Sequence, residues 1–412
     1  MDGLGAIPLG CEREETVVLA TLERLPEVCP FMNKIVRPLL FGIFALAIAA
    51  ALSTTGKPAS REFIGAWSAG QLLAQHRNPY DGAAVLALEQ LQGFEPAQPV
   101  MMSNPPWALP LALPLGFLSA PTALILWLAS ALGCLAVCLQ VFGATRGQRI
   151  LAYCFAPVFA CLTGGAISPF VLLGFSLFVL LQRTRPMLAG AAVLLLSLEP
   201  HLLFAMAPVM LLDCVCRRQW RTLGGAVIAL AASNAVALCL DPEIWSQYAA
   251  ISGGLAPDAG SSDPSASFNP PALLRLLAPA GPSGMEWIPC MIAIAGALCF
   301  YVARRRAWDW AVDAVPLLFV TMLAAPFASI ADQVLLLPGV LVTVASAHRA
   351  RYAATWFFAI NAAVLTLLLA QVNLGAGLTL VTSLAWFAWY SYSRGGRAEL
   401  RPREYAAQMV EV

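Results

Sequence analysis

Five carboxylates lie beside long apolar runs in this sequence: Glu62, Asp81, Glu199, Asp241 and Asp332, with His201 close to the third. A charged side chain held near lipid costs ~3 kcal/mol or more, so acids kept at such places are candidates for chemistry. A carboxylate at a membrane interface can take a proton from a hydroxyl group, the general-base step of group transfer to an alcohol. Ordinary interfacial solvation explains any one of these acids taken singly. No D-x-D pattern, P-loop or Gly-rich dinucleotide fingerprint occurs, so no cofactor is expected. Cys214 and Cys216 lack a second ligand pair, so a zinc site is not expected there; the residues name no metal ligands, and metal dependence is left open.

The elements that carry these groups belong in a membrane. Of 412 residues, 59% are hydrophobic and 11% charged, and the mean hydropathy is +0.75. Such a chain cannot cover itself with an ordinary soluble surface. Apolar runs recur from Pro38 to Tyr392, many near the roughly 20 residues that a spanning helix needs. Strand-like alternation is missing, which argues against an outer-membrane barrel. The reading is all-α, a polytopic membrane protein of about 11 to 13 transmembrane helices. Candidate spans include Pro38 to Thr54, Leu151 to Leu162, Ser168 to Leu181, Met187 to Leu198, Leu202 to Leu212, Leu223 to Leu240 and five more from Trp287 onward. Several are short and rich in Pro and Gly, as broken helices facing a protein cavity are.

Arginines cluster at 146/149, 183/185, 217/218/221, 304–306, 349/351 and 394–403, each beside an apolar run, which assigns those ends to the cytoplasm. Residues 1–34 then form a cytoplasmic N-terminal segment, 35–392 the transmembrane domain and 393–412 a cytoplasmic tail. Two external loops fall at about 55–104 and 241–286, the first read as amphipathic helices on the membrane surface. No cleaved signal peptide is expected at the N-terminus. Between Pro105 and Phe142 two apolar stretches flank Pro121; either the first is a partial, re-entrant element or the positive-inside pattern fails there. Most cysteines lie inside apolar runs, where they act as small hydrophobes.

Several local strings carry a family resemblance. Arg61-Glu62-Phe63 through Trp67-Ser68-Ala69-Gly70, followed by Asn78-Pro79-Tyr80-Asp81, resembles the stretch after the first span in the glycosyltransferase 87 family of polyprenyl-phosphate-sugar-dependent membrane enzymes. Asn104-Pro105-Pro106-Trp107 is similar to its Y-P-P element. Arg185-Pro186 through Ala189-Gly190 with Glu199-Pro200-His201 is similar to its R-P-x-x-A-G and K-P-H pair, and Ala325-Pro326-Phe327 with Asp332 to a late S/A-P-Y and Y-D-L element. The resemblance runs in order from Glu62 to Pro338.

It implies a C-type glycosyltransferase (GT-C) fold that moves a sugar, mannose in the family's pattern, from a polyprenyl phosphate to a glycolipid, glycan or protein acceptor. The donor, the acceptor and membrane lipids are the expected partners; nucleic acid is not. The expected location is a bacterial inner membrane, with the site on the external, periplasmic face. Glu62 matches the family's Asp as catalytic base, with a reach longer by about 1.5 Å, one methylene. Arg61, Tyr80, Asp81, Asn104, His201, Arg275 and Asp332 are implied in substrate binding. Three departures stand out: the family Lys before Pro-His is Glu199, its G-Q turn reads Gly165-Ala166-Ile167-Ser168, and the Tyr of Y-P-P is Asn104. An ionised Glu199 would repel a phosphate unless a cation such as Arg61 or Arg275 offset it. A transporter or flippase, and a non-catalytic relative in envelope assembly, are the competing readings.

Overall fold

A computed structural model describes residues 61–94, 99–252, 287–325, 328–345, 350–369 and 375–394. The expected N-terminal segment, the first span, the surface helix at Phe268 to Arg275 and the basic tail lie outside these residues. The chain divides into two units, Met1–Ser53 and Thr54–Val412, and only residues of the second are described.

Among the described residues the structure is helical, with no strand. In chain order the helices are α1 Arg61–Ala74, α2 Gly82–Leu91, α3 Leu109–Gly116, α4 Ala120–Val141, α5 Arg146–Tyr153, α6 Ala156–Gly164, α7 Ser168–Leu181 and α8 Pro186–Leu196. They continue as α9 Met206–Cys216, α10 Trp220–Leu240, α11 Ile244–Ser252, α12 Ile288–Arg304, α13 Trp310–Ala324, α14 Leu337–Ala345, α15 Ala350–Leu369 and α16 Gly375–Arg394. Short 3-10 turns at Pro106–Ala108, Pro200–Leu202 and Ala331–Leu336 link some of them.

Two of the described helices, α4 and α10, are long and apolar enough to cross a bilayer unaided. At 1.5 Å per residue, the 22 residues of α4 reach ~33 Å, the depth of a hydrocarbon core. Helices such as α7, α8, α9, α12 and α13 are apolar but shorter, as their Pro and Gly content predicted. Large apolar side chains face outward on these elements: Ile125 on α4, Val227 and Ile228 on α10, Met291 and Ile292 on α12. Backbone polar groups are satisfied within each helix, which is how such surfaces survive in lipid. The fold is that of an all-α membrane protein.

Of the two apolar stretches flanking Pro121, the first forms only the short α3. The eight residues of α3 rise only ~12 Å, too little to cross. It packs instead on α1, where Gly70 and Gly116 face each other so closely that a Cβ on either would collide with the other helix's backbone. Close approach of small residues is the usual basis of helix packing in membranes. The first loop was expected to form surface helices, but α1 is sunk into the protein, with Phe63, Ile64, Trp67, Ser68, Leu72 and Leu73 all buried. Its polar positions misled the amphipathic reading because Ser68 is inside and Trp67 spends its ring N–H on the Leu118 carbonyl at 3.0 Å.

One end of the bundle is tied by charge. Arg183 after α7 pairs with Asp309 before α13 at 3.2 Å, and Arg304 of α12 with Asp313 at 2.9 Å. Arg217 after α9 pairs with Asp213 at 2.7 Å and donates to the Arg305 and Trp308 carbonyls, both at 3.1 Å. Three arginine clusters far apart in sequence thus share one face, as the positive-inside reading requires. The helices α7, α8 and α13 carry their other ends, at Ser168, Glu199 and Asp332, away from it.

Candidate functional site

At that opposite end the structure brings Glu62, Glu199, His201 and Asp332 together, although 270 positions separate the first from the last. Each comes from a different kind of support. Glu62 occupies the first turn of α1, and the buried face that follows it locks the helix against α3 and α4, where Phe63 lies 6.5 Å from the Trp127 ring. Glu199 and His201 sit in the turn between α8 and α9, and Asp332 in the 3-10 turn before α14.

Glu62 is reached by water, yet protein surrounds it so closely that burial, and then the charge of Asp332, push its pKa from 4.5 to about 8. The Glu62 side chain is thus exposed at its surface while protein atoms crowd around it, and solvent screening weakens the effect of that crowding on its charge. An acid with a pKa near neutrality can hold or release a proton at working pH, which is what general-base chemistry needs.

Asp332 is more tightly held. Ser168 donates its hydroxyl to Oδ1 at 2.6 Å; Ser329 donates its backbone N–H and its hydroxyl to Oδ2 at 2.7 and 3.0 Å. The Asp332 N–H returns a bond to the Ser329 hydroxyl at 3.3 Å, the reciprocal pattern of a capping box. Ser168 begins α7 after a reversal at Gly165, whose φ of 68° is the left-handed conformation that glycine adopts without strain. Trp127 donates to the Gly165 carbonyl at 2.9 Å and so fixes that reversal from α4. Ser168 ends the segment that departs from the family's G-Q turn, whereas Ser329 carries no such mark in the sequence. The S-x-x-D spacing before α14 was the available signal for the second.

The turn bearing Glu199 and His201 is pinned from the 104–107 segment. Asn104 donates its side-chain amide to the Leu198 carbonyl at 2.8 Å, and Trp107 its ring N–H to the Ser197 carbonyl at 3.0 Å. These two carbonyls end α8 and have no later helical N–H to bind. Asn104, where the family has Tyr, therefore works through its backbone hold on Glu199. Tyr80 is buried and donates its hydroxyl to the Asn104 carbonyl at 3.0 Å. Asp81 is exposed and caps α2, accepting from the Ala83 and Ala84 N–H groups at 3.0 and 3.4 Å. The structure thus makes Tyr80 and Asp81 parts of the scaffold that orders this loop. The backbone of Arg61 starts α1; Arg275 falls outside the described residues.

Glu199 is buried, and burial followed by the charges of Asp332 and Glu62 raises its pKa well above the usual carboxylate range. For His201, burial lowers the pKa while the nearby Asp332 charge opposes that shift. Among the described residues, no set of three or more His, Cys, Asp or Glu is arranged to hold a metal ion. The R-P-x-x-A-G string also has a packing role, since a Cβ at Gly190 would strike the Thr222 carbonyl of α10.

The arrangement is a water-accessible acid of near-neutral pKa facing a second, firmly held carboxylate, with a buried acid and a histidine beside them. It can accept a proton from a hydroxyl and orient the attacking group. Compared with known families, the chain matches the model of glycosyltransferase family 87 over residues 103–329, just over half its length. No curated protein and no solved structure matches it significantly.

Proposed function

Because the chain belongs to glycosyltransferase family 87, and is thus a glycosyltransferase, we propose that it moves mannose from a polyprenyl phosphate to an extracytoplasmic acceptor with inversion. Glu62 removes the proton of the acceptor hydroxyl. The acceptor oxygen then attacks the anomeric carbon from the face opposite the phosphate. As that bond forms, the bond from carbon to phosphate oxygen breaks, and its electron pair leaves with polyprenyl phosphate. Asp332 orients the acceptor, and the 197–201 turn lies on the phosphate side.

One observation carries this reading: an exposed Glu62, its pKa raised to about 8 by burial and by the charge of Asp332, which lies within electrostatic reach of it. The basic belt at the other end of the bundle supports an external site. A lipid-linked donor suits a recess between apolar helices that expose their sides to the bilayer, where the polyprenyl chain stays while the sugar enters. A bacterial inner membrane is the location that accommodates such a donor. The test is to incubate purified protein with polyprenyl-phosphate mannose and a membrane lipid extract and to weigh the products. A mannosylated lipid and free polyprenyl phosphate are expected; an unchanged donor with every acceptor fraction would overturn the reading.

A further inference from the structure

The hydroxyl of Ser168 lies between two buried carboxyl groups, 2.6 Å from Asp332 Oδ1 and 3.5 Å from Glu199 Oε2. A serine has one proton to give. The shorter contact has the length of a charge-assisted O–H···O bond, and Asp332 also accepts from both donors of Ser329, so the Ser168 hydroxyl proton points at Asp332, which acts as an acceptor only. What Ser168 presents to Glu199 is then a lone pair. An ionised Glu199 would set its own charge against that lone pair while buried; a protonated one can donate to it.

We infer that Glu199 works as a neutral carboxylic acid, its proton directed at Ser168 and backed by ionised Asp332, with Ser168 as the positioning residue that holds the two apart. The catalytic part of this inference rests on the reading proposed above. The groups that face Glu199 agree with it: Glu62 from α1 and Asp332 both act to keep it protonated, while Ser168 exerts the smallest influence, in the other direction. Cys161 of α6, also nearby, spends its thiol on the Ala331 carbonyl at 3.0 Å. The consequence bears on the missing family lysine. A neutral acid beside the donor does not repel its phosphate, and its O–H can turn from Ser168 to a phosphate oxygen as charge develops there. No net proton transfer is required.

The test compares Glu199→Gln, Glu199→Ala and Ser168→Ala in the full-length protein. Gln is neutral and keeps a donor, so E199Q retains most of the transfer rate, whereas E199A lowers it about tenfold or more. Ser168→Ala shifts the carbonyl band of the Glu199 carboxylic acid in the infrared spectrum, because its O–H loses the acceptor that the Ser168 oxygen provides. The proton itself is read by infrared spectroscopy, independently of turnover. In a Glu62→Gln background at neutral pH, the carbonyl band of a protonated carboxyl group is expected, and adding E199Q removes it. An infrared spectrum unchanged by E199Q, or an E199Q enzyme as impaired as E199A, overturns the inference. Were the wild type to transfer from no donor, the reading above would fail while the infrared comparison still decided the state of Glu199.

Discussion

Asn104 holds the Leu198 carbonyl at 2.8 Å, joining the segment before α3 to the residue just before Glu199, 94 positions away in sequence. The bond explains how a residue that departs from its family's pattern still serves the site. It acts on the backbone of the turn that carries Glu199 and His201. Loss of that bond is expected to loosen the turn without unfolding the bundle. Asn104→Ala should lower transfer several-fold and stability by ~1 kcal/mol, measured by turnover and thermal unfolding in detergent. Full activity in this variant would remove the turn's position from the account.

The pH dependence has a definite sign. As the proposed base, Glu62 would act only when ionised, and with its pKa raised to about 8 transfer should rise with pH and level off above that value. Stability moves the other way. Between pH 4.5 and about 8 the folded protein keeps a proton that the unfolded chain has lost, so this group's contribution is complete below pH 4.5 and is lost as pH climbs through 8. Glu62→Gln should flatten that part of the stability profile. A transfer rate that falls across the same range would contradict the base assignment.

Asp332 contributes to the raised pKa of Glu62 after burial does. Replacing it by Asn deletes the charge and preserves the shape. The rising limb of the transfer profile should therefore move to lower pH in Asp332→Asn, while the maximal rate drops because the acceptor is less well oriented. An unmoved limb would mean that the two carboxylates do not sense each other in the working enzyme.

The contact of α1 with α3 offers a test of the scaffold. Gly116→Val forces a side chain into the Gly70 backbone and should cost ~1–3 kcal/mol of stability. Since α1 carries Glu62, activity should fall together with melting temperature; a fully stable G116V protein would argue that the close approach is not required.

Much of this architecture was readable from residues alone, for reasons that differ by element. The limits of α7 agree with the apolar run from Ser168 to Leu181, because Ser-Pro starts it and polar Gln182 stops it. The arginine clusters marked one face because long basic side chains must leave the lipid, and Arg183, Arg217 and Arg304 indeed meet there. The convergence of Glu62, His201 and Asp332 came from the family resemblance, since nothing in local spacing brings them together. What stayed hidden depends on tertiary packing. The burial of α1 is set by glycine contacts with α3, the break between α5 and α6 hides inside one apolar run, and α11 was read as loop because its flanks are rich in Gly, Pro and Ser. Ser168 gave no sign of its role, because a hydroxyl's partners 164 residues away leave no trace in the string around it.

The most direct measurement compares sugar release from polyprenyl-phosphate mannose by the wild type, Glu62→Gln and Glu62→Asp, each first shown to be folded and inserted. The account predicts that Gln abolishes transfer, and that Asp, the residue of the family's pattern, preserves it with an altered rate. Transfer by the Gln variant at the wild-type rate would contradict the claim that this carboxylate is the base.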